Sequence, residues 1–236
     1  MNLIKIRNRL TSISNPERAG ISKRFFKTGP GEYGEGDQFI GVRVSLLRIL
    51  SKQYVNLYHN EIDILLASPI HEERLLALLI LIQQYKTGDD VIKKRIYNLY
   101  LNRTEFINSW DLVDVTAEHI VGHYLLDKDK GPLYQLCASE NLWERRISII
   151  STFCLIKQNL FDDTLRISKR LLHDPHELIH KAVGWMLREI GKRNQGAEEA
   201  FLAAHYADMP RTMLRYAIEK FPEPLRQAYL KGAISR

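Results

Sequence analysis

Asn108-Ser109-Trp110-Asp111-Leu112-Val113-Asp114 reads as a capped helix start. Asn108 and Ser109 are favoured N-cap residues, and Asp111, about one turn later, completes a capping-box-like opening. Trp110 and Asp114 stand four residues apart, so one helix face carries an aromatic ring beside a carboxylate. Similar openings recur on both sides of this one: Ser68-Pro69 before it, then Asn141-Leu142, Asp174-Pro175 and Asp208-Met209-Pro210 after it. Read from the numbering, the intervals are 40, 33, 33 and 34 residues.

Each start leads into an apolar-rich helix, expected over 73–84, 110–124, 143–156, 179–192 and 213–221. Second helical stretches fall between them, among them 91–101, 162–172 and 197–204. A period near 35 residues, two helices per unit and no strand pattern predict an all-α fold. Its architecture is a HEAT-like repeat α-solenoid, a right-handed superhelix of antiparallel helix pairs with a concave face for a ligand. The chain reads as a single repeat domain over 1–236: an N-terminal helical pair (1–28, with Asn15 and Pro16 opening its second helix), a Gly-rich loop (29–41) and repeats over 42–230. Helical periodicity resumes over 44–58, with a short partner over 61–67, and the end, 231–236, is expected to fray.

The 236 residues are 45% hydrophobic and sparing in Gly and Pro, enough for a sizeable core and against a turn-rich β protein. Cys137 and Cys154 make no disulfide framework and suit a reducing compartment. The longest apolar run, Leu75 to Ile82, is far too short to span a bilayer. Met1 to Arg7 is amphipathic without a long apolar core, so the expectation is the cytoplasm, with no membrane partner.

The net charge of +6 attracts a polyanion only if the cations cluster. Five to seven residues past each cap stand Arg74, Asp114, Arg146, Lys181 and Arg215. Equivalent positions of a solenoid share a surface, so this is a candidate cationic stripe with one acidic reversal. Arg145, Arg188, Lys192 and Arg211 lie beside it, and Trp110 and Trp185 accompany it, with Trp143 a third candidate. Such a stripe fits a nucleic-acid backbone. The plainer alternatives are ion pairs with local acids such as Glu72, Glu73, Glu144 and Glu189, core packing for the tryptophans, and for Asp114 a pair with Arg146.

Three segments narrow this choice. Ser109-Trp110-Asp111-Leu112-Val113-Asp114, Leu142-Trp143-Glu144-Arg145-Arg146 and Lys181-Ala182-Val183-Gly184-Trp185-Met186-Leu187-Arg188-Glu189 closely resemble, in order and spacing, the DNA alkylation repair (AlkD-like) family. That family comprises HEAT-like-repeat DNA glycosylases that excise alkylated purines, and the resemblance runs from about Ser22 to Phe221. It implies that Asp114 is the catalytic carboxylate, that Trp110 and Trp185 wall the lesion, and that Arg146 meets a phosphate. Lys181 and Arg188 become supporting DNA contacts, with Arg145 and Arg215 beside them on the stripe. Phe25 occupies a position where the family usually carries Tyr, so a hydroxyl is missing here.

One acid is chemically sufficient on this reading. An N3- or N7-alkylated purine is cationic and leaves as a neutral base, so the usual general acid of a glycosidase is dispensable. A fixed carboxylate then stabilises the sugar cation and orients water. The resemblance implies that the lesion stays largely in the duplex, where most glycosylases flip it into a pocket. The expectation is therefore a monomeric glycosylase acting on double-stranded DNA, on lesions such as 3-methyladenine and 7-methylguanine, with no cofactor and no metal. The alternative is a non-catalytic HEAT-repeat scaffold binding DNA or protein.

Other signals carry less. Gly29-Pro30-Gly31-Glu32-Tyr33-Gly34 formally matches a dinucleotide fingerprint but follows no strand and is acidic, so a chain-redirecting loop near the DNA entrance is expected. His119/His123 and His176/His180 have an i, i+4 spacing without a third ligand, and read as surface or capping histidines.

Overall fold

A computed structural model describes residues 2–234. Among them the fold is all-α, of the HEAT-like α-solenoid type, and the nearest approach to a sheet is an isolated bridge between Gln38 and Ile70. The chain divides into two compact units, Met1–Thr116 and Ala117–Arg236.

The first unit holds α1 (Asn2–Ser12), α2 (Pro16–Phe25), α3 (Val44–Gln53), α4 (His59–Leu66), α5 (His71–Thr87), α6 (Asp90–Leu101) and α7 (Trp110–Asp114), with a 3-10 turn at Thr104–Phe106. Its centre is α5, against which α3, α4, α6 and α7 pack. Eight consecutive residues, Leu75 to Ile82, are at most 5% exposed, so this helix is apolar on every side because it is covered on every side. Helix starts follow local capping. Asn15 accepts the Arg18 amide at 2.8 Å, and Asp89 accepts that of Ile92 at 2.9 Å.

The second unit holds α8 (His123–Leu125), α9 (Gly131–Cys137), α10 (Leu142–Ser151), α11 (Phe153–Lys157), α12 (Asp162–Arg170), α13 (Glu177–Gly191), α14 (Gln195–His205), α15 (Arg211–Ala217) and α16 (Glu223–Lys231). Here α13 is central, packing against α10, α12, α14 and α15. Gly184 sets the closeness of α13 to α15: a Cβ there would stand 2.4 Å from the Met213 carbonyl oxygen and 2.5 Å from Tyr216 Cβ. Asn141 caps α10 by accepting the Trp143 amide, and His176 Nδ1 accepts that of Leu178, making this histidine a cap.

Two expected helices are broken. The stretch 110–124 is α7, a turn at 115–116, a π-helical segment Glu118–Gly122 and α8. Within that turn Thr116 Oγ1 donates back to the Leu112 carbonyl, just after the β-branched Val113 and Val115. The stretch 143–156 breaks at Thr152, where Ser151 donates to the Ile147 carbonyl and Thr152 to that of Ile149. Helices α9 and α16 lie outside the expected set. At the C-terminus α16 ends at Lys231, capped by Gly232 in the left-handed region (φ 69°), while 235–236 of the segment expected to fray lie outside the described residues.

Candidate active site

The N-terminus of α5 carries four ionisable residues in a row, His71, Glu72, Glu73 and Arg74, each at most 4% exposed. Buried charge is tolerable only when paired, and each of these is. Glu72 accepts the amides of Ile40, Gly41 and Val42 at 2.7–3.2 Å. Glu73 accepts Arg7 of α1 at 3.0–3.3 Å. Arg74 donates to the Ser68 carbonyl at 2.9 Å and to Asp37 at 2.7 Å. His71 places one ring nitrogen 2.8 Å from Asp37 and the other 2.8 Å from Asp111. The residues following α2, the Gly-rich loop included, are thus bolted to α5 through Asp37 and the 40–42 backbone.

A carboxylate cannot donate, so both His71 nitrogens do, and the ring is an imidazolium. Burial opposes that charge, but the hydrogen bonds and charges of Asp111 and Asp37 outweigh it and raise its pKa to about 9. Burial would likewise raise Asp37; His71 and Arg74 overcome this and hold it below the usual carboxylate range.

Over this polar knot lies a ring cluster. Phe39 stacks on His71 at 4.6 Å, and Phe26 stacks on Phe39 at 5.0 Å and on Trp110 at 5.2 Å. Phe25 meets Trp110 edge-on at 5.8 Å and is otherwise 63% exposed. Phe25 and Trp110 are therefore neighbours. Trp110 and Asp114, both half-buried, open and close the same five-residue helix. Asp114 lies close enough to Tyr100 that its charge, after burial, helps push that phenol's pKa up; the Tyr100 hydroxyl pairs with Thr116 at 2.8 Å. The expected capping box does not form. Ser109 is the N-cap residue but its side chain makes no capping bond, and Asp111 turns to His71, a charge-assisted pairing stronger than a neutral amide contact.

The stripe cations are largely engaged within the fold. Arg74 is buried against Asp37 and presents no guanidinium to solvent. In the second unit Arg146, 5% exposed, donates to the Leu178 carbonyl. Arg145 pairs with Asp174 at 2.6 Å, Lys181 with Glu177 at 3.1 Å, and Arg188 with Glu219. Arg215 is exposed. Trp185 is half-buried, donates to Glu189 at 3.2 Å and tilts toward Phe153 at 5.9 Å, whereas Trp143 is core. The sequence does not single out His71, Phe26 or Phe39, and marks Asp37 only as an acid of the Gly-rich segment. Their signal was weak: a four-residue ionisable run opening the most apolar helix, and an acid ending the Gly-rich loop.

Among known proteins, the family model described as DNA alkylation repair enzyme matches residues 6–221. A solved structure, described as a predicted DNA alkylation repair enzyme from Enterococcus faecalis, superposes with a TM-score of 0.69 at 18% identity, covering 89% of this chain and 97% of that one. No curated protein matches.

Proposed function

Because the chain belongs to the family of DNA alkylation repair enzymes, with a role in repairing alkylated DNA, we propose that it is a glycosylase for cationic alkylated purines in duplex DNA. The observation that carries this reading is α7 itself: a short helix with Trp110 at its start and Asp114 at its end, backed by a ring cluster and a buried charge network. An indole face attracts a cationic nucleotide, worth about 0.5–2 kcal/mol depending on desolvation. The Asp114 carboxylate one turn away opposes the positive charge that develops on the sugar as the neutral base departs, and orients the attacking water. No proton needs to reach the leaving group, because the alkylated purine already carries the charge it sheds.

On this reading Trp185 serves as a further aromatic contact for the DNA. Lys181, Arg188 and Arg215 supply phosphate contacts, Arg145 and Arg146 do so only by giving up the Asp174 and Leu178 partners that hold them, and Phe25 packs beside Trp110 at the DNA surface without a hydroxyl to donate. The substrate class is the N3- and N7-alkylpurines, such as 3-methyladenine and 7-methylguanine. Surface pairs such as Lys181 with Glu177 are worth only about 0–1 kcal/mol, so a phosphate readily replaces the partner.

Incubating the protein with alkylated duplex DNA and measuring released base and abasic sites tests this. Release of neutral N3- and N7-alkylpurines is the expected result. Tight DNA binding without release would replace the reading by that of a non-catalytic scaffold.

A further inference from the structure

A five-residue helix cannot hold itself, since so short a segment does not recover the cost of its own nucleation. The N-cap side chain of α7 makes no capping bond, and a turn at 115–116 follows the helix. Its apolar hold is Leu112, Val113 and the Trp110 ring against Phe26. Beside these, the Asp111 carboxylate has one hydrogen bond, from His71; its other oxygen is buried without a partner.

We propose that His71 is a positioning residue for α7: as an imidazolium between Asp37 and Asp111, it fastens this helix to the loop after α2 and so sets where the Trp110 ring and the Asp114 carboxylate stand. The consequence for excision rests on the glycosylase reading above; the clamp itself does not.

The groups facing His71 account for its charge. Asp37 comes from the loop and Asp111 from α7, with Arg74 of α5 behind Asp37. Phe26 and Phe39 close the remaining faces with rings at 5.0 and 4.6 Å. Glu72 and Glu73 are turned away onto the 40–42 amides and Arg7. Arg74, Asp37, His71 and Asp111 therefore alternate in sign and sum to zero. A neutral His71 has one N–H and serves only one acid. Asp37 keeps Arg74 as partner, whereas Asp111 has no substitute, so the α7 side of the clamp opens. The sign follows from the pKa of about 9 against the ordinary 6.5. The stability that the clamp adds is fully present below about pH 6.5 and is lost as pH rises to about 9, while the clamp itself opens with a midpoint near 9. Trp110 precedes Asp111 directly and Asp114 follows it by three residues, so slack at Asp111 misplaces both, and misplacement near 1 Å costs roughly 100-fold in rate.

The test uses the full chain, wild type against His71→Gln and Asp111→Asn. Imidazole 15N NMR is expected to show His71 protonated on both nitrogens at pH 7.5 and titrating near 9, and titrating lower in Asp111→Asn. A midpoint at or below 6.5 in the wild type overturns the proposal. In a Trp143→Phe, Trp185→Phe background, Trp110 emission is expected to change with a midpoint near pH 9, a transition that Asp111→Asn shifts downward; a curve identical with and without Asp111→Asn overturns it. Both readouts hold if the wild type releases no base, a result that would sink the glycosylase reading alone. Where the wild type is active, Asp111→Asn is expected to lower the single-turnover excision rate roughly 10–100-fold with DNA Kd within about threefold, and to move the alkaline limb of the pH profile down. Wild-type rate and limb in a folded Asp111→Asn contradict the proposal even if His71→Gln does not fold.

Discussion

At the scale of single residues, the glycosylase reading rests its chemistry on Asp114. Asp114→Asn removes the charge while keeping the shape, so excision is expected to fall by at least about 100-fold, measured in single turnover. DNA affinity should hold or improve, because a negative charge near phosphates is gone. Glu198, on α14, poses a different problem: it is 1% exposed, and one of its carboxylate oxygens has no partner. Burial, aided by the charge of Glu199, raises its pKa to about 8 from 4.5. For an acid the raised value means lost stability: no effect below about pH 4.5, a growing penalty to about 8, and the full penalty above. Glu198→Gln is accordingly expected to raise stability at pH 8.5, by at most about 5 kcal/mol, and to change it little at pH 4.5. Thermal unfolding at the two pH values checks this; equal shifts at both would refute the charged-burial account.

At the scale of elements, helix starts were legible where capping is local: Asn15 and Asn141 accept amides within three residues of themselves. At α5, α13 and α15 the caps are Ile70, His176 and Pro210, each two residues past the expected Ser68, Asp174 and Asp208. Helix ends and breaks were less legible. Thr116 and Thr152 read as ordinary helix residues until their hydroxyls bond back along the chain. Trp110 and Asp114 were readable as one face of α7, but not what supports it: Asp37 and His71 are 34 residues apart, and His71 and Asp111 are 40. No local periodicity encodes such a contact. The same limit hid the fate of Arg74, an expected stripe cation that Asp37 and the Ser68 carbonyl draw inward. Element packing makes its own prediction. Gly184→Ala brings a methyl against α15 where only hydrogen fits, so chemical denaturation should show a loss of about 1–3 kcal/mol. Unchanged stability would mean that α13 and α15 have room to separate.

At the scale of the whole molecule, a net charge of +6 is modest, and much of the positive charge is spent inside the fold. The phosphate contacts of the proposed complex should therefore differ in what their loss does. Arg215 is exposed, and Arg215→Ala should lower the salt slope of DNA binding by about one without touching stability. Arg146 is buried and bonded to the Leu178 carbonyl, so Arg146→Ala should cost stability as well as affinity. A salt titration beside a melting curve separates the two, and an Arg146→Ala protein of full stability would contradict the buried geometry. The central claim, that Asp114 on α7 breaks the glycosidic bond of a cationic purine, has a direct measurement: single-turnover release of 7-methylguanine from a defined duplex by wild type and Asp114→Asn, with DNA binding measured in parallel. Release by the wild type and its near-abolition in Asp114→Asn at undiminished affinity are expected; release at the wild-type rate by Asp114→Asn would contradict a catalytic Asp114.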